Sequence, residues 1–193
     1  MRRLLPYLAL ALFCAELLLM LVSWLLSAVW PMSGVRSLLS GEGLRWLFGH
    51  FSGMMATPAL VWLLLLSMAA GCLRASRLLR LGNSYRESRA LILTVMLLAV
   101  YVTVLLLLTA LPHAVLRSVV GGLWPSPFSH GLVPMLAFVI VSLSAFYGLI
   151  AGHFGRLSDI YDSLLDGVRA GAPLLLFYVL LIQFYESLMF VLP

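Results

Sequence analysis

The sequence predicts an all-α integral membrane protein with five transmembrane helices, one outer interfacial helix and one cytoplasmic amphipathic helix, forming a single membrane domain over residues 1–193. Three observations predict it. First, 63% of the 193 residues are hydrophobic and only 10% are charged, a composition that soluble domains of this size do not carry. Second, the apolar residues gather in runs of about 20, the length that crosses a hydrocarbon core. Third, the chain has no lysine, and its arginines cluster in alternate connections between those runs, as the positive-inside rule requires.

The first run, Leu4 to Trp30, follows Arg2 and Arg3. The apolar core of a signal peptide has about 7–15 residues. This run is longer and can span, so it is expected to be an uncleaved first helix, with Trp24 and Trp30 toward the outer interface. Glu16 lies near its middle. A carboxylate at that depth costs several kcal/mol, roughly 2.5–3.5 for Asp on insertion scales. It must be protonated, paired, or turned toward protein or water. It is then either a hydrogen-bonding group between helices or a proton, ion or docking group.

The next stretch starts at Ser40, a candidate N-cap, with Glu42 in the first turn, where the helix dipole favours an acid. Leu44, Leu47, Phe48 and Phe51 follow a helical period, with Arg45, Gly49, His50 and Ser52 on the other face. This 40–55 helix is too short and too polar on one side to span and is expected to lie flat in the outer interface. His50 reads as an interfacial polar residue.

Thr57-Pro58 opens the second spanning helix, near 57–74, with proline at the position where its missing N–H costs nothing. Arg74, Arg77, Arg80, Arg86 and Arg89 follow, with Gly82-Asn83-Ser84 as a turn. A third helix is expected near 90–111, stopped by Pro112, and then a loop with Gly121-Gly122 and with Trp124 and Phe128 as interfacial anchors. The fourth helix is expected near 131–154. Asp159, Asp162 and Asp166 share one face of a separate surface helix over 158–169, and Ile160, Tyr161, Leu164, Leu165 and Val168 share the other. Together with Arg74, Arg77 and Arg80 these acids make a cytoplasmic charged face, a solvated surface whose acids can pair with the arginines of the neighbouring loop. The fifth helix, near 172–192, carries Gln183 and Glu186 on one face. Lipid cannot satisfy such groups. Their expected partner is another chain, or else the first or fourth helix.

Arg2, Arg3, Arg74, Arg77, Arg80, Arg86, Arg89, Arg156 and Arg169 fall on one side of this arrangement, and Arg36, Arg45 and Arg117 on the other. The N-terminus is therefore expected in the cytoplasm and the C-terminus in the periplasm, across a bacterial inner membrane. The sequence has no nucleophile elbow, phosphate loop, HExxH or CxxC. The three aspartates lack the glycine and terminal glutamate of a calcium loop. No enzyme activity, cofactor or metal is expected, and the arginines lack the aromatic interleaving of a nucleic-acid surface. Cys14 and Cys72 lie in apolar runs and read as packing residues.

Two segments resemble the p-aminobenzoyl-glutamate transporter (AbgT) family. From Ser37 the chain reads LLS-x-EGL-x-W, then Phe-Ser-Gly, a proline at a helix start and a glycine near its end. From Ser126 it has Gly-x-x-Pro, Tyr147-Gly148, Gly152 and later Gln183-Phe184. In the right order over most of 37–187, these are similar to the framework of such carriers. The resemblance implies an elevator-type carrier with two substrate-holding hairpins. Here the connection between the second and third helices is too short to hold the first hairpin with the two helices that follow it. The chain also ends where the second hairpin would begin, with Ser187-Leu188 in place of a Ser-Asn pair. The chain is thus expected to be a shortened, framework-only relative, to which no substrate residue can be carried over. Two functions follow as expectations. One is a non-catalytic scaffold in the lipid bilayer that docks another membrane protein or a second copy. The other is a transporter of small organic anions, complete only as an oligomer or with a separate transport subunit.

Overall fold

The computed structural model describes residues 4–30, 34–80, 84–110 and 127–192. Among them it contains six helices and no strand: α1 (Leu5–Val29), α2 (Gly41–Met55), α3 (Pro58–Ser76), α4 (Tyr85–Ala110), α5 (Pro127–Ala151) and α6 (Leu157–Val191). All but α2 are long and apolar enough to cross a membrane, and the chain is a multi-pass, all-α membrane protein. The expected turn at Gly82-Asn83, the stop at Pro112, the glycine pair at 121–122 and the anchor Trp124 lie outside the described residues, as do Arg2, Arg3 and Arg117. So does the side chain of Phe128.

Three element boundaries differ from the expectation. The helix α4 starts at Tyr85, five residues before its apolar run, because Ser84-Tyr85-Arg86-Glu87 forms half of a capping box. Glu87 Oε2 accepts from the Ser84 N–H at 3.4 Å, supplying a partner at a helix start. The helix α5 starts at Pro127 rather than 131, with proline at the first helical position. It ends at Ala151, where Gly152 takes φ +85° and the N–H groups of His153 and Phe154 return to the Gly148 carbonyl at 2.8 and 3.0 Å.

The third correction is the largest. The surface helix of 158–169 and the fifth spanning helix are one continuous helix of 35 residues, with Pro173 in its interior. Proline there removes the bond to the Arg169 carbonyl. Arg169 is exposed, so that carbonyl can be solvated, and the turn before the proline is held from the side by α3 through Gly167 and Gly171.

The described residues group into two compact units. One comprises the chain up to Val61 together with the chain from Ala172 onward, and the other runs from Trp62 to Gly171. In the first, α1 exposes most of its surface and keeps one less exposed stripe containing Leu5, Ala9, Leu12, Glu16, Met20 and Ser23. Ser23 is fully buried, and its hydroxyl accepts from the buried Leu38 N–H at 3.2 Å, pinning the segment before α2 onto α1. The Arg36 N–H donates to the Val191 carbonyl at 3.3 Å, and Trp46 of α2 stacks on Phe190 with ring centroids 4.4 Å apart. In the second unit, α4 and α5 pack along each other, with Tyr101 edge-on to Phe138. Ala69, Cys72, Ala90, Ala137 and Tyr147 are buried there. Small residues predominate because lipid gives helices no hydrophobic reason to associate, so close backbone contact must do it.

Candidate functional site

Each unit holds a cluster of polar side chains on helices suited to lipid. In the first unit the cluster joins α1 to α6. The Ser187 hydroxyl donates to Glu16 Oε1 at 2.6 Å and accepts from Gln183 Nε2 at 3.3 Å. Ser187 is fully buried, while Glu16 and Gln183 are half-buried. Helical spacing of four explains how Gln183 reaches Ser187. The sequence reading singled out Glu16 and Gln183 but not the serine between them. The structure brings these two together through Ser187. Glu186, one residue before that serine, is half-buried and takes no part in the chain of hydrogen bonds.

The cluster is incompletely satisfied. Glu16 Oε2 and Gln183 Oε1 are buried atoms with no hydrogen-bond partner. Glu186 has no ionic partner among the described residues, where the ion pairs are His153–Glu87 and Arg169–Asp166. A buried polar atom left without a partner costs about 1–3 kcal/mol. Lower in the same unit, Thr57 and Tyr178 share a hydrogen bond between α6 and the residue before α3.

In the second unit the polar groups gather where α3, α4 and α6 have their charged ends. Glu87 Oε1 lies 3.4 Å from His153 Nε2, near enough to attract a protonated imidazole but not aligned as a hydrogen bond. His153 also faces the ring of buried Tyr147 at 6.1 Å. The predicted charged face divides by role. Asp159 Oδ2 accepts from the Gly155 and Arg156 N–H groups at 2.7 and 2.9 Å, closing the start of α6. Asp166 pairs with Arg169, one turn along its own helix, at 2.9 Å rather than with the connecting arginines. Asp162 is exposed. Arg74, Arg77 and Arg80 are exposed and have no carboxylate partner among the described residues.

The predicted interfacial helix splits in the same way. Leu44, Phe48 and Phe51 are exposed, whereas Leu47 is half-buried beside the inward-facing Gly43, Trp46 and Met54. His50 is exposed, and its Nδ1 lies 3.2 Å from the Trp46 carbonyl. Of the two cysteines, Cys72 is buried as expected of a packing residue, but Cys14 is exposed on α1. No cluster of three metal-ligating side chains occurs among the described residues.

No protein-family model, curated protein or solved structure matches the chain. Neither cluster assembles a nucleophile with an oriented base. Both present hydrogen-bonding groups or charge that a second molecule could complete.

Proposed function

We propose that the chain is a non-catalytic membrane subunit, related to the framework of AbgT-type carriers, that docks another membrane protein through the face formed by Glu16, Gln183 and Glu186. The observation that carries this reading is Glu186, a half-buried carboxylate beside Gln183 with no ionic partner among the described residues, on a helix suited to lipid. Lipid tails offer neither donor nor acceptor, so a polar side chain from a neighbouring protein is the chemistry that satisfies Glu186. The partner is a membrane protein presenting an N–H or O–H at the depth of Gln183, or a second copy of this chain.

The resemblance over 37–187 supports the framework part of the reading. The exposed apolar row Leu44, Phe48 and Phe51 supports an α2 that lies flat in the outer interface, with its tryptophan turned inward. The arginine asymmetry supports a bacterial inner membrane location with the N-terminus cytoplasmic and the C-terminus periplasmic.

The test is a pull-down of the natural complex with Gln183→Leu and Glu186→Leu combined, with folding checked by helix content and thermal unfolding. Loss of the partner from a folded variant is expected, and its retention would overturn the docking face. Purified chain in sealed vesicles is expected to show no substrate uptake above empty vesicles. Saturable, gradient-driven uptake by the chain alone would instead establish the carrier reading, with Glu16 as the group to examine for proton or ion coupling.

A further inference from the structure

The last turn of α3 and the residues after it build a feature that the docking reading does not use. Arg74, Arg77 and Arg80, with Ala70, Leu73 and Leu79, line a recess of about 450 Å³. That lies within the range of small-molecule sites, about 300–1,000 Å³. All three arginines are exposed and have no carboxylate partner among the described residues. The walls between them are apolar, and Leu79 is 77% exposed, an unfavourable state for leucine in water.

The backbone is shaped to hold this arrangement. Arg77 has φ +57°, the left-handed region that non-glycine residues enter rarely and that costs about 1–2 kcal/mol. The helix stops there, and the chain folds back through the Arg80 N–H to Arg77 carbonyl bond at 2.8 Å. Fully buried Ser76 anchors the turn, its hydroxyl donating to the Leu73 carbonyl at 3.1 Å and accepting from the Leu78 N–H at 3.4 Å.

We infer that this recess binds the headgroup of an anionic phospholipid, with the phosphodiester held by Arg74, Arg77 and Arg80 and the upper acyl chain laid against Ala70, Leu73 and Leu79. Placement decides the ligand class. The recess sits at the end of a helix long and apolar enough to cross the membrane, so charge and apolar wall meet where a lipid's phosphate and chain meet. Guanidinium groups bind phosphate oxygens in bidentate fashion, and basic recesses at this depth suit anionic headgroups. A soluble anion would use the arginines but leave Leu79 uncovered. The plainer reading is that the arginines serve only sidedness and the negative end of the α3 dipole. That reading requires charge at this end of α3 but no recess.

The experiment uses the full chain in neutral detergent. Native mass spectrometry counts bound lipid while phosphatidylglycerol or phosphatidylcholine is titrated. The natural protein is expected to retain phosphatidylglycerol at least tenfold more tightly. Equal retention of the two lipids would overturn the proposal without any variant being needed. Arg74→Gln with Arg80→Gln is expected to weaken phosphatidylglycerol binding on the order of 10–30-fold, at about fivefold per arginine. Arg36→Gln with Arg45→Gln, which removes the same charge elsewhere, is expected to leave binding within about twofold. An equal loss in both pairs would show a diffuse field and overturn the site. Displacement of the lipid by millimolar inorganic phosphate would assign the recess to a soluble anion and overturn the lipid. Arg77→Gly relieves the left-handed backbone while removing the guanidinium. It is expected to weaken binding without lowering thermal stability, and unchanged binding would exclude Arg77 from the site.

Discussion

The two units hold their helices together in opposite ways. Between α3 and α6 in the second unit, Gly71 and Gly167 meet face to face. A Cβ added at Gly167 would fall on the Ser67 carbonyl oxygen, and one added at Gly71 on the Ser163 carbonyl oxygen. Backbone proximity and dispersion supply most of its strength, with the Cys72 thiol and the Ser163 hydroxyl in contact beside it. Between α1 and α6 in the first unit, side chains bridge the gap through Glu16, Ser187 and Gln183. The first kind of joint is complete within the chain. The second leaves two buried atoms unpartnered. The difference teaches where each joint can be broken: one tolerates no added atom, and the other depends on a few hydrogen bonds.

The largest effect is expected from adding atoms to the closed joint. Gly167→Ala places a methyl against backbone, which cannot swing aside as a side chain would, so α3 and α6 must part. Overpacking costs typically 1–3 kcal/mol and occasionally more, and the lost close contact along the joint adds to it. Thermal unfolding in detergent should show a markedly lower midpoint, and Gly167→Leu should yield little folded protein. A Gly167→Ala protein as stable as the natural one would mean that the glycines do not set this approach.

The open joint should give way more gently. Ser187→Ala removes both bonds of the bridge and leaves Glu16 without its hydroxyl donor. Hydrogen bonds between membrane helices are worth about 0.6 kcal/mol on average and at most about 1.7, so a loss of about 1 kcal/mol is expected. Combining it with Glu16→Gln should be less than additive, because the two residues share one bond. Strict additivity would separate them. Partner binding measured on the same variants separates the two joints. Under the docking proposal Ser187→Ala weakens the complex, while Gly167→Ala lowers stability first.

Much of this was legible in the sequence, for identifiable reasons. Five apolar runs announce five spanning helices because the hydrocarbon core fixes their length. Glu16 and Gln183 stand out because carboxylates and amides are expensive in lipid. Ser187 was not legible. A serine in an apolar helix is common, and only the approach of α1 makes it the bridge. The continuity of α6 was hidden by Pro173, which reads as a helix start in water but can lie inside a helix where neighbouring packing supports the turn. The early start of α4 had a local signal, the Ser-x-x-Glu of residues 84–87, which was outweighed by the later onset of apolar residues. The recess at Arg77 had none, since no pattern in the sequence marks an arginine for positive φ.

The smallest expected effect tests whether the charged start of α6 belongs to either joint. Asp159 is exposed, and its carboxylate satisfies the N–H groups of Gly155 and Arg156. It touches neither the glycine contact nor the Glu16 cluster. Asp159→Ala should therefore loosen only the first turn of α6, since a terminal turn has few other bonds and frays locally. Hydrogen exchange should quicken at the amides of Gly155 and Arg156. Protection of the α6 amides beyond Gly167 should stay unchanged, because the glycine contact fixes the helix from that point on. If protection instead falls along the whole of α6, the acidic cap would be holding the helix in place, and the closed joint would not be self-sufficient.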